Sequence, residues 1–276
     1  MKKVIMLFAA VTMMVAAVSC NQNTKKVPKM LIVYYSQTSN TKVVADEIQH
    51  LLGADVEVVI PVNPYSGTYQ ETIERSAKER EEGILPEIEP LKANLADYDV
   101  IFLGYPIWFG TYAPPIATLL SKIDLNGKKV VPFCTFGSGG LESSVNDLKA
   151  KFPNAEILEG YGVRAARLDA VPYEVDQFLK ANGFIEGEFV KLPEFSEPKP
   201  VTEEESAIFD KAVEGYRMLN AKASEVALRD IPNGKEYLFT AVNTPRPDGP
   251  QMPASEIKVY VTVQDGQEPV FTKVVR

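Results

Sequence analysis

The stretch MLIVYYSQTSNTKVVADEIQHLLGADVEVVIP, residues 30–61, decides the fold. Its first six residues are apolar or aromatic, which predicts a strand buried on both faces. Residues 42–52 carry apolar side chains at helical spacing and end at Gly53, and residues 55–61 alternate like a second strand. A strand, a helix and a second strand in this order predict a β-α-β unit, and such units build parallel sheets.

The same alternation continues along the chain after a charged insertion, residues 63–95, which we expect to lie over the edge of the sheet. Further buried strands and helices follow in turn, with strands predicted at 99–104, 129–136 and 157–161 and helices at 114–123, 141–152 and 173–182. Together with the right-handed crossover rule, this pattern predicts an α/β domain over residues 29–190. Its core is an open parallel sheet of five strands in the order 2-1-3-4-5.

The last third of the chain has a different pattern. Residues 191–201 contain three prolines and predict a linker. A helix is predicted over residues 202–228, opened by a capping box of Thr202 and Glu205. Three strand-like runs follow, at 237–242, 257–263 and 270–275. Residues 202–276 are therefore predicted to form a small α+β appendage of unknown role.

The N-terminus, residues 1–20, reads MKKVIMLFAAVTMMVAAVSC. Two lysines precede an apolar stretch that is short for a membrane span, which is typical of a secretory signal. The ending Ala17-Val18-Ser19-Cys20 resembles the lipobox of bacterial lipoproteins. That resemblance implies lipidation of Cys20 and a membrane-anchored protein of the bacterial cell envelope, on the periplasmic or outer-membrane face. The alternative is ordinary secretion with Cys20 left as a thiol.

Composition excludes several classes of function. The net charge of -8 disfavours a nucleic-acid partner. The chain has one histidine, His50, and lacks an HExxH pattern or paired cysteines, so we predict no metal site. Ser138 among glycines suggests a nucleophile, but His50 at the far end of the first helix lies roughly 15 Å from that edge. We therefore assign no catalytic residue.

Three loops follow predicted strands at the edge where open α/β sheets bind ligands. The first loop is Ser36-Gln37-Thr38-Ser39-Asn40-Thr41, between a strand and the start of a helix. Backbone N–H groups and the helix dipole favour an anion there, and hydroxyl and amide groups add donors. Without a Gly-Lys-Ser pattern a triphosphate is disfavoured, so the loop predicts a phosphate monoester site. The alternative is an ordinary N-capping turn.

The second loop is Tyr105-Pro106-Ile107-Trp108-Phe109-Gly110, which holds the only tryptophan of the chain. A flat aromatic ring at a ligand-binding edge predicts stacking on a planar ligand. The alternative is that Trp108 covers the core from outside.

The third loop is Thr135-Phe136-Gly137-Ser138-Gly139-Gly140. Glycine lets backbone approach a ligand closely, so this loop predicts main-chain contacts to the same ligand. The alternative is a glycine-rich entry to the following helix.

Residues 29–185 resemble the flavodoxin family. Its phosphate loop has the form S/T-x-T-x-N-T, which Ser36, Thr38, Asn40 and Thr41 match in order. A subgroup with G-Y-P-x-W-x-G after the third strand is matched by Gly104, Tyr105, Pro106, Trp108 and Gly110. The resemblance implies flavin mononucleotide (FMN) as cofactor, with its phosphate in the first loop and its ring between the second and third loops.

The expected function is therefore that of an FMN-binding protein of the cell envelope, either an electron carrier or an oxidoreductase resembling quinone reductases. The redox partner is left open. An exported chain must acquire FMN outside the cytoplasm, so the alternative is a flavodoxin-fold binding or scaffold lipoprotein that has lost the flavin.

Overall fold

The computed structural model describes residues 28–216, 219–245 and 254–276. The first part of the chain forms a parallel sheet between helices. Its strands are β1 (Met30–Tyr34), β2 (Asp55–Val58), β3 (Val100–Trp108), β4 (Thr111–Tyr112), β5 (Lys129–Phe136), β6 (Glu156–Ile157) and β7 (Tyr161–Arg164). Its helices are α1 (Asn40–Leu52), α2 (Tyr69–Glu81), α3 (Pro114–Lys122), α4 (Leu141–Lys151) and α5 (Val171–Ala181).

The strand order confirms the predicted 2-1-3-4-5 sheet. Strands β2, β1, β3 and β5 pair in parallel, and the fifth position is shared by β6 and β7, which both pair with β5. One strand was expected at 157–161, but Gly160 interrupts it with a φ of +83°. A Cβ at Gly160 would lie 2.5 Å from the carbonyl oxygen of Pro132, so only glycine fits this break.

The central strands are buried on both faces, as their apolar sequences predict. Leu31 and Val33 of β1 face one hydrophobic core, and Ile32 and Tyr34 face the other. Because side chains alternate along a strand, one short apolar run contributes to both cores. Along these central strands, the ends and the loops after them are therefore the accessible parts, whereas the edge strand β2 is largely exposed.

The insertion predicted at residues 63–95 contains α2. A capping box of Thr68 and Glu71 opens this helix. An isolated bridge between Pro61 and Ile88 ties the insertion to the chain after β2. Tyr65 reaches from the insertion into the core beside β1.

The C-terminal part forms a separate antiparallel sheet. Its elements are β8 (Lys199–Pro200), α6 (Glu203–Val213), β9 (Ala221–Ile231), β10 (Gly234–Asn243), β11 (Ser255–Gln264) and β12 (Val270–Val275). The strand order is β12-β11-β10-β9-β8. Thr202 and Glu205 form the predicted capping box of α6.

The prediction of one helix over residues 202–228 is wrong. Helix α6 ends at Val213, and Gly215 follows with a φ of +73°. Residues 221–231 then pair along their length with β10. Strand pairing with a distant segment outweighs the helical spacing of the local sequence, because strand preference depends on the partner as well as on the residue.

The proline-rich segment before α6 packs on this sheet. The Ser196 N–H donates to the carbonyl of Leu228 at 2.8 Å, and the Leu228 N–H donates to Ser196 Oγ at 3.0 Å. The ring of Phe195 packs edge-on against Tyr260, with centroids 5.9 Å apart. We refer to residues 195–276 as the C-terminal unit.

The expected lipidation site, Cys20, lies with the leader outside the described residues. Among the described residues, every helix is too short or too polar to span a bilayer.

Candidate functional site

The three predicted loops meet at one edge of the parallel sheet. They follow β1, β3 and β5, which are neighbours in the sheet. The N–H of Tyr35 donates to the carbonyl of Gly104 at 3.0 Å, which joins the end of β1 to the middle of β3. Thr41 Oγ1 and Thr135 Oγ1 share a buried hydrogen bond of 2.8 Å, which joins the start of α1 to the end of β5.

The first loop presents a group of unused donors. Ser39 has a left-handed backbone, φ 64°, and its carbonyl accepts the hydrogen bond from the N–H of Val43. Within the described ranges, the N–H groups of Ser39, Asn40 and Thr41 donate to no protein acceptor. The side chains of Thr38, Ser39 and Asn40 also have no protein partner there. Donors at the N-terminus of a 13-residue helix suit an anion.

Two other side chains of this loop hold its shape. The N–H of Lys42 donates to Ser36 Oγ at 3.3 Å, so Ser36 closes the turn from the inside. Thr41 is buried against Thr135. The hydroxyl of Thr41 therefore faces β5, whereas its N–H belongs to the open helix end.

Gln37 links the first loop to the insertion. Its Oε1 accepts a hydrogen bond from the Tyr35 hydroxyl, and its Nε2 donates to the carbonyl of Tyr65. Both ends of the amide are used within the protein. Gln37 belongs to the predicted phosphate loop, but its side chain connects that loop to Tyr35 and Tyr65.

The second loop is a β-hairpin, which differs from the predicted loop. Strand β3 continues to Trp108, and Trp108 pairs with Thr111 of β4. The two turn residues, Phe109 and Gly110, have φ values of 50° and 83°. Positive φ at both central positions is the geometry of the tight turns that match strand twist, so the hairpin is a regular one. The Arg80 guanidinium of α2 donates to the carbonyl of Phe109 at 3.1 Å and holds the tip.

Tyr105 and Phe136, which were predicted as flavin contacts, have side chains buried in the core. Tyr105 continues the inward alternation of Ile101 and Leu103, and its hydroxyl hydrogen-bonds to Ser144 Oγ at 3.1 Å. Phe136 is buried in the same core. Their side chains present no open face to a ligand. Pro106 and Ile107 are half-buried beside them.

Trp108 is held between two tyrosines. Its ring meets the rings of Tyr35 and Tyr65 edge-on, at centroid distances of 6.0 and 5.1 Å. Trp108 is half-buried, so part of its ring remains open to solvent. Edge-to-face contacts of this kind orient a ring without covering it completely.

Tyr65, one of these two tyrosines, is itself fixed by a partly buried ion pair between Arg75 and Glu79. The Tyr65 hydroxyl donates to Glu79, and Arg75 Nε donates to the same carboxylate at 2.8 Å. The Arg75 guanidinium also lies 4.0 Å from the centre of the Tyr65 ring. Burial, together with the hydrogen bond to Glu79, raises the pKa of Tyr65 well above its usual range, so the phenol stays protonated.

The third loop is packed on two sides by protein. A Cβ at Gly140, whose φ is 114°, would lie 2.5 Å from the Ile107 side chain of the hairpin. A Cβ at Gly139 would lie 2.0 Å from the carbonyl oxygen of Val274 in β12. In the described part of the chain, the N–H groups of residues 137–140 donate to no protein acceptor. The glycines were predicted to let a ligand approach the backbone, but the groups that approach Gly139 and Gly140 belong to the protein itself. The N–H groups of the loop are still available to a ligand.

Two residues of this edge were not predicted. Arg164 is the last residue of β7, and Val274 belongs to β12. The strand-end rule selects Arg164 once the last predicted parallel strand is extended past Tyr161. Val274 carries no local signal, because only the packing of the C-terminal unit brings it here.

Other chemistry has little support among the described residues. They contain no group of three or more histidine, cysteine, aspartate or glutamate side chains placed to hold a metal ion. Burial raises the pKa of Cys134 well above its usual range, so this thiol stays protonated in the core.

The comparisons with known proteins agree with this architecture. The family model described as flavodoxin matches residues 29–170, which end before the C-terminal unit. No curated protein sequence matches the chain. Among crystal structures, the chain is similar to a candidate flavoprotein from Bacteroides eggerthii DSM 20697, with 30% identity over 54% of this chain and 97% of that chain and a TM-score of 0.47.

Two further crystal structures are similar over the same share of the chain. One is a candidate flavoprotein from Bacteroides uniformis ATCC 8492, with 25% identity, 55% of this chain and 99% of that chain covered, and a TM-score of 0.49. The other is a flavoprotein in complex with FMN from Lactobacillus acidophilus NCFM, with 24% identity, 55% and 98% covered, and a TM-score of 0.45.

Proposed function

This chain belongs to the flavodoxin family, and from that premise we propose that it binds FMN at the three-loop edge and transfers electrons at the bacterial cell envelope. The acceptor or donor of those electrons is a separate redox partner, and the chemistry is either electron carriage or flavin-dependent reduction of a small acceptor.

The observation that carries the proposal is the set of unpaired donors in the first loop. The N–H groups of Ser39, Asn40 and Thr41 point from the start of α1 with no protein acceptor among the described residues. The hydroxyl of Thr38 and the amide of Asn40 add two donors beside them. A phosphate monoester satisfies such a cluster through hydrogen bonds and the positive end of the helix dipole.

The other two loops suit a flat ring. Trp108, which is only partly buried, offers an aromatic ring for stacking, and the N–H groups of residues 137–140 offer donors to acceptor atoms at the edge of a ring. When bound, FMN supplies reversible one- or two-electron transfer. The residues of this chain hold its phosphate, orient its ring and exclude water from the side covered by Trp108.

Trp108 provides the test, because it is the only tryptophan in the chain. Titrating the full chain with FMN is expected to quench both the tryptophan and the flavin emission with saturation, since rings in contact quench each other. Trp108→Phe keeps an aromatic face and should retain affinity within about tenfold, because aromatic stacking contributes about 1 kcal/mol beyond burial. If neither emission changes in a saturable way, the proposal that the chain binds FMN is overturned.

The cell-envelope part of the proposal depends on the leader and Cys20. An acyl chain on Cys20 would hold the folded domain at a membrane surface, with the polar residues after it as a tether. In cells, Cys20→Ser is expected to move the protein from the membrane fraction to the soluble fraction. An unchanged membrane fraction for this variant would contradict the lipid anchor.

A flavin-free scaffold is the second candidate, and a specific observation favours it. Gln37 and Thr41 use their side chains within the protein, and Gly139 and Gly140 are packed against other elements. A fold that keeps these contacts for stability alone would bind FMN no better than unrelated acidic proteins do. The same titration separates the two candidates.

A further inference from the structure

The C-terminal unit contacts the third loop directly through backbone. The N–H of Val274 in β12 donates to the carbonyl of Ser138 at 2.6 Å. The carbonyl of Val274 occupies the space where a side chain at Gly139 would begin. Strand β12 therefore lies against Ser138 and Gly139 of the third loop.

Arg164 makes a second connection at the same place. Its Nε donates to the carbonyl of Gly137 at 2.9 Å, and its Nη1 donates to the carbonyl of Phe271 at 2.7 Å. Its guanidinium lies 4.2 Å from the ring centre of Phe271 and 5.3 Å from that of Tyr216. One side chain of the parallel-sheet domain thus bridges the third loop and β12.

These two contacts orient the donors of the loop. A trans peptide unit is planar, so its N–H points away from its carbonyl. The carbonyl of Gly137 faces Arg164, and the carbonyl of Ser138 faces Val274. The N–H of Ser138 is thereby turned away from Arg164 and the N–H of Gly139 away from Val274, and neither has an acceptor among the described residues.

We propose that Arg164 and the backbone of β12 are positioning groups of the flavin site, which present the N–H groups of Ser138 and Gly139 to acceptor atoms of the ring. This inference rests on the proposed function. It makes the C-terminal unit part of the site, although it lies outside the residues matched by the family model. By linkage, docking of this unit and binding of the ring strengthen each other.

The first test compares two arginines in the full chain. Arg164→Gln removes the bridge, whereas Arg167→Gln removes an ion pair with Glu174, 2.6 Å long, whose two members make no hydrogen bond to the third loop in the described part of the chain. Arg164→Gln is expected to weaken binding of FMN and of riboflavin equally, by about tenfold, because the loss of charge-assisted hydrogen bonds affects the ring and leaves the phosphate loop intact. It should also shift the visible absorption of the bound flavin. Arg167→Gln should change neither.

The second test removes the backbone donor of β12. Val274→Pro lacks the N–H that reaches Ser138, and the edge position of β12 tolerates proline on its outward side. Val274→Ala trims the same buried side chain and keeps the N–H. Riboflavin affinity is expected to be about three- to tenfold lower in the proline variant than in the alanine variant, with far-UV circular dichroism to verify folding of both.

The outcomes separate this inference from the function on which it rests. A wild-type chain that binds neither FMN nor riboflavin overturns the proposed function. Wild-type binding with unchanged affinity and absorption in both Arg164→Gln and Val274→Pro overturns the positioning role alone. Equal losses in Arg164→Gln and Arg167→Gln would also overturn it, because they would indicate a general loss of stability.

Discussion

The first and third loops lie at the same edge of one sheet and both leave N–H groups without acceptors among the described residues, yet they differ in how closely other segments of the protein pack on them. The first loop leaves its N–H groups and the side chains of Thr38 and Asn40 without protein partners in the described part of the chain. In the third loop, Arg164 and Val274 engage the carbonyls of Gly137 and Ser138, and two glycines are packed against protein. A glycine-rich loop thus indicates that another group approaches it closely, and here the neighbours are β12 at Gly139 and the hairpin residue Ile107 at Gly140.

The largest expected effect is on FMN affinity, when a negative charge is introduced into the first loop. Thr38 is exposed and has no side-chain partner among the described residues. We expect Thr38→Asp to weaken FMN binding on the order of 100-fold, because a carboxylate would face the phosphate at short range. Riboflavin, which lacks the phosphate, should bind as it does to the wild type.

Stability serves as the control for this variant. An acidic side chain at a helix N-terminus interacts favourably with the dipole, so Thr38→Asp should unfold at or above the wild-type temperature. Thr38→Ser keeps the hydroxyl and should keep FMN affinity. If Thr38→Asp lost affinity for FMN and riboflavin equally, the first loop would not be a specific phosphate site, because riboflavin lacks the phosphate.

The next largest effect concerns packing in the third loop. Gly139→Ala would place a methyl group 2.0 Å from the carbonyl oxygen of Val274, so β12 has to move. We expect a loss of about 2 kcal/mol in the free energy of unfolding, as for other overpacked sites. Denaturant unfolding of the full chain measures it.

Gly137 offers the matched comparison, because a Cβ there has only the Tyr216 hydroxyl nearby, at 3.8 Å. Gly137→Ala should be neutral or more stable by about 0.5 kcal/mol, through the lower entropy of the unfolded chain. Equal destabilisation by both alanines would mean that the C-terminal unit does not constrain this loop.

The smallest effect lies in the backbone of the first loop. Ser39 has a left-handed φ of 64°, a backbone conformation that is unfavourable for most residues other than glycine. Ser39→Gly should raise the free energy of unfolding by up to about 1 kcal/mol, reduced by the larger entropy of glycine in the unfolded chain. Ser39→Ala keeps the unfavourable geometry and should not be stabilising. Thermal unfolding of both variants measures whether each change raises or lowers stability. A Ser39→Ala variant more stable than the wild type would contradict backbone strain at Ser39.

The fold of the parallel domain was predictable because its signals are local. The run from Met30 to Tyr35 is apolar throughout, and the helix after it has regular spacing up to Gly53. Residues 221–231 show the limit, since Ala223, Val226 and Ala227 fit a helix as well as a strand. Their partner strand β10 decides the outcome, and its pairing cannot be read from the segment itself.

At the site, the position of the three loops was predictable and the direction of individual side chains was not. Strand ends determine where the loops meet. Gln37 turns to Tyr65, which lies 28 residues away in the insertion, and no local pattern indicates that contact. Tyr105 could have been assigned to the core, because it continues the i, i+2 alternation of Ile101 and Leu103.

The hydrogen bond from Val274 to Ser138 has a consequence for the order of folding. Chains are made, and exported, from the N-terminus, and their domains fold largely in that order. The parallel sheet and the first loop can form before residue 274 is delivered, whereas the third loop obtains its contact with Val274 only afterwards. Premature termination shortly before β12 should therefore leave a folded sheet whose phosphate loop is ready and whose ring loop is unfinished.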